Sequence, residues 1–402
     1  MDLVDLFFPF LTYDIAPGVR VPALDRSRRA FEAMIFVATL ACHWNDADSG
    51  IDPTIQPSFI DRIVATLEGI LAWIPCLIRI DLNVLSLNPA FSHLDLNEQI
   101  TQTHISYAQT FIWLVTIHPK VEEHISTSAA ALELVLNIWH SRLDLPQGRM
   151  PICEFTTEGP CTILDMLRTW VRNRQRLDWL LDTVTMNMAL LKLFVESTLD
   201  RARLAQEHSA TGVPHMIGEA LMYLSTLFQV TNFLIMDERV HTYFVGEEYV
   251  RVMGDAFEAA ARKSIRFRMH IPLPVIFRDY WLLAVAHSHG AAAAFRDLST
   301  RLFSVSLDCI SDLSKDYQGV RTEDLASFSE WLESWGRLMY PRVVRVFEQG
   351  LKKIDKRAEV RIGKVPGVGK EWLSSIEWLR KKVRVLKKIG GGVRMCDNMK
   401  VS

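Results

Sequence analysis

The chain has 402 residues, a net charge of −2, 49% hydrophobic and 23% charged residues, a balance that excludes wholesale disorder. The length exceeds what one compact core usually holds, and 19 Gly and 16 Pro are too few for a turn-dense all-β architecture. Charge is unevenly spread: residues 342–402 hold 17 Lys/Arg against 6 Asp/Glu, and the first 341 residues hold 28 against 41. Such asymmetry fits a solvated face or an acidic-body/basic-tail contact within the molecule, the favoured reading, or else an acidic partner, nucleic acid or a membrane.

The N-terminus, Met1-Asp2-Leu3-Val4-Asp5, has acids where a signal peptide needs bases. The longest apolar stretch, Ile70–Ile78, is interrupted by Pro75 and falls well short of the roughly 20 residues a membrane span needs. The six Cys sit mostly among apolar neighbours, as buried thiols of a reduced compartment do; Cys153 and Cys161 could also pair across their loop. Cytoplasm or nucleus is the expected location.

Apolar residues recur at helical spacing. Phe31, Met34, Ile35, Ala38 and Cys42 form one face, and Ile60, Ile63, Val64, Leu67, Leu71 and Ile74 a second. Met216, Ala220, Leu221, Leu224, Leu227 and Phe228 form a third. Pro57 and Pro214 stand at first turns, where a missing N–H costs nothing. The pattern predicts helices at 25–43, 57–74, 97–117, 119–142, 160–172, 174–206, 214–234, 236–262, 276–288, 291–314, 321–350 and 369–389, with no strands. The expected fold is all-α and multi-helical, either an armadillo/HEAT-like α-solenoid or an irregular helical array. The domains expected are a helical body over 1–362, a Gly-rich linker and basic amphipathic helix over 363–389, and a disordered tail over 390–402.

A repeat is legible between His118-Pro119-Lys120-Val121 and Asp237-Glu238-Arg239-Val240, each between two apolar helices. Val121 and Val240 are 119 residues apart, about three units of ~40.

Chemical motifs are sparse. Asp46, Asp48 and Asp52 surround Gly50, but the turn Gly is one position early for a calcium loop and Pro57 replaces its closing Glu. Gly363–Lys370 has five residues between the first Gly and Gly-Lys, then Glu371 where a phosphate loop needs Ser or Thr. His118, Glu122 and His124 are not spaced as a zinc motif, and His287 and His289 fall on different helix faces. Neither catalytic, cofactor-binding nor metal-binding residues are assigned. An enzyme would have to assemble its site in the fold, from Asp178, Asp182 and His215 as the best candidates. The favoured reading is a scaffold that binds another protein without catalysis or cofactor.

The last helix carries Trp372, Ile376, Leu379, Val383 and Leu386 at steps of 4, 3, 4, 3, with Lys381, Lys382, Arg384, Lys387 and Lys388 on other faces. It is expected to cap the body, seam inward and lysines in water. An acidic partner, nucleic acid or a membrane surface are the functional alternatives for its basic side.

From Glu377-Trp378-Leu379-Arg380 through Cys396-Asp397-Asn398-Met399-Lys400 the chain resembles helical, armadillo-like proteins of mushroom-forming fungi that end in a MYND-type zinc finger. That finger opens Cys-Asp-Asn-x-Lys-Cys. Val401 stands where the second Cys belongs, and Cys396 is an orphan of the four ligands a structural zinc site needs. The resemblance therefore implies a chain cut short or mis-spliced before the finger. The expectation is a tail after Gly390 that is without order and binds no zinc; stoichiometric zinc by elemental analysis would overturn it.

Overall fold

A computed structural model describes residues 8–11, 24–44, 56–84, 95–145, 148–152, 155, 161–267, 273–286, 305, 308–311, 348–349, 351–352, 356–366 and 368–389. The fold is all-α and multi-helical. The chain divides into two compact units, Met1–Ser197 and Thr198–Ser402, with the boundary inside one helix.

The first unit opens with a 3-10 turn, Phe8–Leu11, and continues with α1 (Leu24–His43), α2 (Gln56–Val84), α3 (Leu96–Ile117), α4 (Pro119–Ile125) and α5 (Ala129–His140). A hairpin follows, β1 (Arg142–Leu145) and β2 (Gly148–Pro151), then α6 (Thr162–Arg172), α7 (Arg174–Met186) and α8 (Met188–Ala210), whose second half belongs to the other unit. Helices pack on near neighbours in the chain: α1 on α2 and α3, α2 on α3, α4 and α5, α3 on α6, and α6 on α7. Trp44 stacks on Phe59 at 4.9 Å and Phe8 meets the same ring edge-on at 5.9 Å, joining the 3-10 turn, α1 and α2.

The second unit contains α9 (Pro214–Leu234), α10 (Glu238–Gly246), α11 (Tyr249–Arg266), α12 (Leu273–Ala286), α13 (Lys356–Ile362) and α14 (Val368–Ile389). Its aromatic core is Phe228, Phe257, Phe277 and Tyr280, with Phe257–Phe277 centroids 4.8 Å apart and Phe228–Tyr280 5.4 Å. Helix α9 packs on α11 and α12, and Tyr280 donates to the Val250 carbonyl at 3.2 Å.

Several expectations are corrected. The hairpin replaces a stretch read as helix end and loop; Arg142 opposes Pro151 and Leu145 opposes Gly148 in an antiparallel pair. Leu143 within β1 and Ile152 just past β2 are buried, which anchors the hairpin. Helix α2 runs to Val84 and does not stop before Pro75. Proline inside a helix costs ~3 kcal/mol, here offset by the burial of Trp73, Ile74 and Leu77 around it.

Three stretches read as single helices are each two. Ser128 caps α5 by accepting from Ala131 N–H, and Asn187 accepts from the N–H of Ala189 and Leu190, starting α8. Between α10 and α11, Glu248 takes a left-handed φ of 54°. Of the predicted helices at 291–314 and 321–350, only residues 305, 308–311 and 348–349 are described. The Asp46–Asp52 loop, His287, His289, Cys153 and everything after Ile389, Cys396 included, lie outside the described residues. Cys161 is a thiol, not half of a disulfide.

Candidate functional site

The repeat is the first place where local sequence and packing coincide. His118 Nδ1 accepts from the Lys120 N–H at 3.1 Å and starts α4. Asp237 accepts from the N–H groups of Arg239 and Val240 at 2.8 and 3.3 Å and starts α10. Polar N-caps of this kind satisfy N–H groups that a helix start otherwise leaves bare. In both short helices the third residue and the one four later are fully buried: Val121 with Ile125, Val240 with Phe244. Each short helix links a long helix to another, α3 to α5 and α9 to α11, and each opening long helix packs on the next helix after that, α3 on α6 and α9 on α12.

Arg176 ties the first copy together. Its Nη2 donates to Glu122 Oε1 at 3.2 Å and to the Thr169 carbonyl at 3.0 Å, and its guanidinium lies 5.8 Å from the centre of the Trp170 ring. Trp170 Nε1 returns a hydrogen bond to the Arg176 carbonyl at 3.0 Å. Burial pulls the guanidinium below its ordinary range, and the charge and hydrogen bond of Glu122 oppose that shift. Sequence reading passed over Arg176 because one arginine near a helix start reads as surface; the signal was the adjacent Trp170, a stacking partner.

In the second copy a buried carboxylate, Asp279 on α12, plays the corresponding part. It accepts from Ser225 Oγ at 3.0 Å and Gln229 Nε2 at 2.8 Å on α9, and from Arg278 at 3.2 Å. A buried carboxylate met by three donors is satisfied and fixes how α12 sits on α9. His208 Nε2 and Glu219 Oε2, 2.8 Å apart, likewise join α8 to α9.

The enzyme candidates are all exposed, Asp178 and Asp182 in the first unit and His215 in the second. Asp178 and Asp182 are exposed one turn apart on α7, Asp178 paired with Arg174 at 3.0 Å. His215 is exposed in the first turn of α9. Among the described residues no group of three or more His, Cys, Asp or Glu is placed to hold a metal ion. Among them, too, no helix is long and apolar enough to cross a membrane.

The outer face of α9 has a different character. His215, Met222, Phe233 and, just past the helix, Met236 follow at intervals of 7, 11 and 3 and are exposed, Met222 to 59%, Phe233 to 40% and Met236 to 66%. On the neighbouring α12 Leu282 is 51% exposed.

Helix α14 buries Trp372, Ile376, Leu379 and Val383 and leaves Arg380, Lys381, Arg384, Lys387 and Lys388 exposed. Four of the five expected seam residues thus face inward; the side chain of Leu386 lies outside the described residues. Trp378 is half-buried, off the seam, with the Lys382 ammonium 4.6 Å from its ring centre. Two cations are tied down, Arg380 to Glu359 at 2.8 Å and Lys387 to Glu348 at 2.9 Å. Hydrogen bonding from Lys387 and Lys352 holds the Glu348 carboxyl below its usual range. Both acids belong to the basic C-terminal segment itself, so these pairs are not the body-to-tail contact that the charge asymmetry suggested.

Between α13 and α14 the Gly-rich stretch is a hydrogen-bonded turn: Lys364 N–H reaches Arg361 O at 3.0 Å and Gly369 N–H reaches Val365 O at 2.8 Å. A side chain at Gly369 would collide with the Gly363 carbonyl, so the close approach of the two helix ends requires glycine there. No family model, curated protein or solved structure matches the chain.

Proposed function

We propose that this chain is a protein-binding scaffold without catalytic activity, built as a solenoid-like helical array. The observation that carries the reading is the twice-used long helix–short helix–long helix arrangement, capped at His118 and Asp237 and pinned by Val121/Ile125 and Val240/Phe244. Helices that pack mainly on near neighbours in the chain build extended surfaces, and such surfaces are used for partner binding. The exposed Met222, Phe233 and Met236 give that surface an apolar strip suited to another protein. The resemblance at Cys396–Lys400 to fungal helical proteins ending in a MYND-type finger supports the same class. A cytoplasmic or nuclear site of action goes with it.

The test is crosslinking capture from native extract, comparing wild type with Met222→Glu and Phe233→Glu. Both side chains face water, so helical circular dichroism should be preserved. The expected result is a discrete partner lost with either substitution. Capture indifferent to every substitution on α9 would refute the reading. A turnover activity abolished by Asp178→Asn, Asp182→Asn or His215→Gln would replace it with the all-α enzyme.

A further inference from the structure

Among the described residues helix α14 buries Trp372, Ile376, Leu379 and Val383 on its inner side and leaves its outer side exposed. Lys370, Lys381, Arg384 and Lys388 are exposed and recur at intervals of 11, 3 and 4, which places them along one ridge about 27 Å long. Glu377 is the one carboxylate on that ridge. The cations on the flank are already committed, Arg380 to Glu359 and Lys387 to Glu348. Leu373, 54% exposed, and Val385, 46% exposed, border the ridge on opposite sides, with Trp378 and Lys382 beyond Val385.

We infer that this outward face of α14 docks an acidic segment of another protein that carries apolar residues among its carboxylates. The inference rests on the scaffold reading and names the chemistry of one partner. Three features select this occupant. Among the described residues the ridge carries four cations against the single carboxylate of Glu377, so its ligand is anionic. A nucleic-acid backbone needs an unbroken cationic track, and here Lys370 and Lys381 are about 16 Å apart with Glu377 between them. A lipid surface takes an amphipathic helix by its apolar side, and the seam of α14 is buried in the protein. Cations mixed with two aliphatics and a half-buried Trp are instead the makings of a protein interface.

The experiment uses the full chain and a fluorescent synthetic peptide of about 20 residues, Glu and Leu at helical spacing, read by anisotropy at low salt. The expected result is saturable binding that weakens about tenfold or more in Lys381→Glu/Lys388→Glu, a loss of ~1.4 kcal/mol or more. Leu373→Ala/Val385→Ala should weaken it severalfold with no change of charge. Arg174→Glu/Lys192→Glu, the same charge change elsewhere, should leave it near wild type, with circular dichroism unchanged throughout. Indifference to either α14 pair overturns the proposal, the second case leaving only unspecific charge. Tighter binding of phosphatidylserine vesicles or of a 20-base-pair duplex, with the same sensitivity to Lys381 and Lys388, overturns it in favour of a membrane or nucleic acid. Should α14 fail while the α9 substitutions still abolish capture, the scaffold reading stands and this one falls.

Discussion

Tyr249 is fully buried at the start of α11, against Phe244 and His241, and its hydroxyl has no hydrogen-bond partner among the described residues. Burying an unmatched hydroxyl costs ~1–3 kcal/mol, so Tyr249→Phe is expected to leave the melting temperature unchanged or raise it. Burial also pushes the phenol well above its usual range. The unfolded phenol ionises near ~10, so the folded state binds more protons above that pH and Tyr249 contributes a loss of stability there. Tyr249→Phe should remove that slope; thermal melts at pH 9 and 11 check it, and a destabilised Tyr249→Phe at both would show a hidden partner for the hydroxyl.

Asp237 titrates in the opposite direction. The side-chain hydrogen bond from Arg239, the N–H groups of Val240 and Arg239 and the nearby charge hold its carboxyl below the usual range. A depressed folded value stabilises above the unfolded pKa of ~3.9 and is lost as pH falls through the folded one. Asp237→Ala should therefore cost ~1 kcal/mol near neutral pH and markedly less in strong acid, measured by urea titration at pH 7 and below pH 3. Asn, also a good cap, should keep most of the stability and lose the pH dependence. Arg176 divides charge from packing. Its partner Glu122 is 42% exposed but Arg176 itself is buried, so Glu122→Gln, which keeps an acceptor and removes the countercharge, should cost ~1–3 kcal/mol. Arg176→Ala removes the stem packed near Trp170 and should cost more, with Arg176→Met in between.

At the scale of elements, the twin short helices α4 and α10 predict matched behaviour. Ile125→Ala should cost ~2–5 kcal/mol and Phe244→Ala ~3–5 kcal/mol, as fully buried side chains. Denaturant titration of each checks this; a mild effect at either would mean that the short helix is not a structural pin. This part was legible in the sequence because a polar cap followed by Val at fixed spacing is a local signal. The seams of α2, α9 and α14 were legible for the same reason, each having one apolar side.

The inner face of α1 was not. Phe31, Met34, Ile35, Ala38 and Cys42 were expected inward, yet Ala30, Ala33, Met34, Val37 and Ala41 are buried while Ile35 and Cys42 are exposed. The two series differ by one residue, about 100° of helix rotation. Both are apolar, so periodicity alone cannot choose, and packing on α2 and α3 decides. The extension of α2 past Pro75 was hidden likewise, because tertiary burial overrode a local breaker. The pairings of Arg176 with Glu122 and of Asp279 with Ser225 were hidden because each spans 54 residues, and no window of sequence covers that distance.

For the whole molecule, apolar seams and charge have separate tasks, and salt separates them. The described ion pairs of α14 are partly exposed, with Lys387 and Arg380 at 67% and 59%, and pairs of this kind contribute ~0–1 kcal/mol each. The same helix buries Trp372, Ile376 and Leu379 to within 2% of full burial, and fully burying an aliphatic or aromatic side chain is worth ~1.5–3 kcal/mol. Raising salt from 0.1 to 1 M shortens the screening length from ~10 to ~3 Å, which weakens exposed pairs and long-range attraction but not apolar burial. The melting temperature should therefore shift by only a few degrees across that range, while binding of the acidic peptide to the Lys370–Lys388 ridge should fall by more than tenfold. Differential scanning calorimetry and anisotropy on one salt series make the comparison. A melting temperature that collapses with salt would show that the fold depends on charge pairs more than on its seams, and peptide binding that survives 1 M salt would remove charge as the basis of recognition on α14.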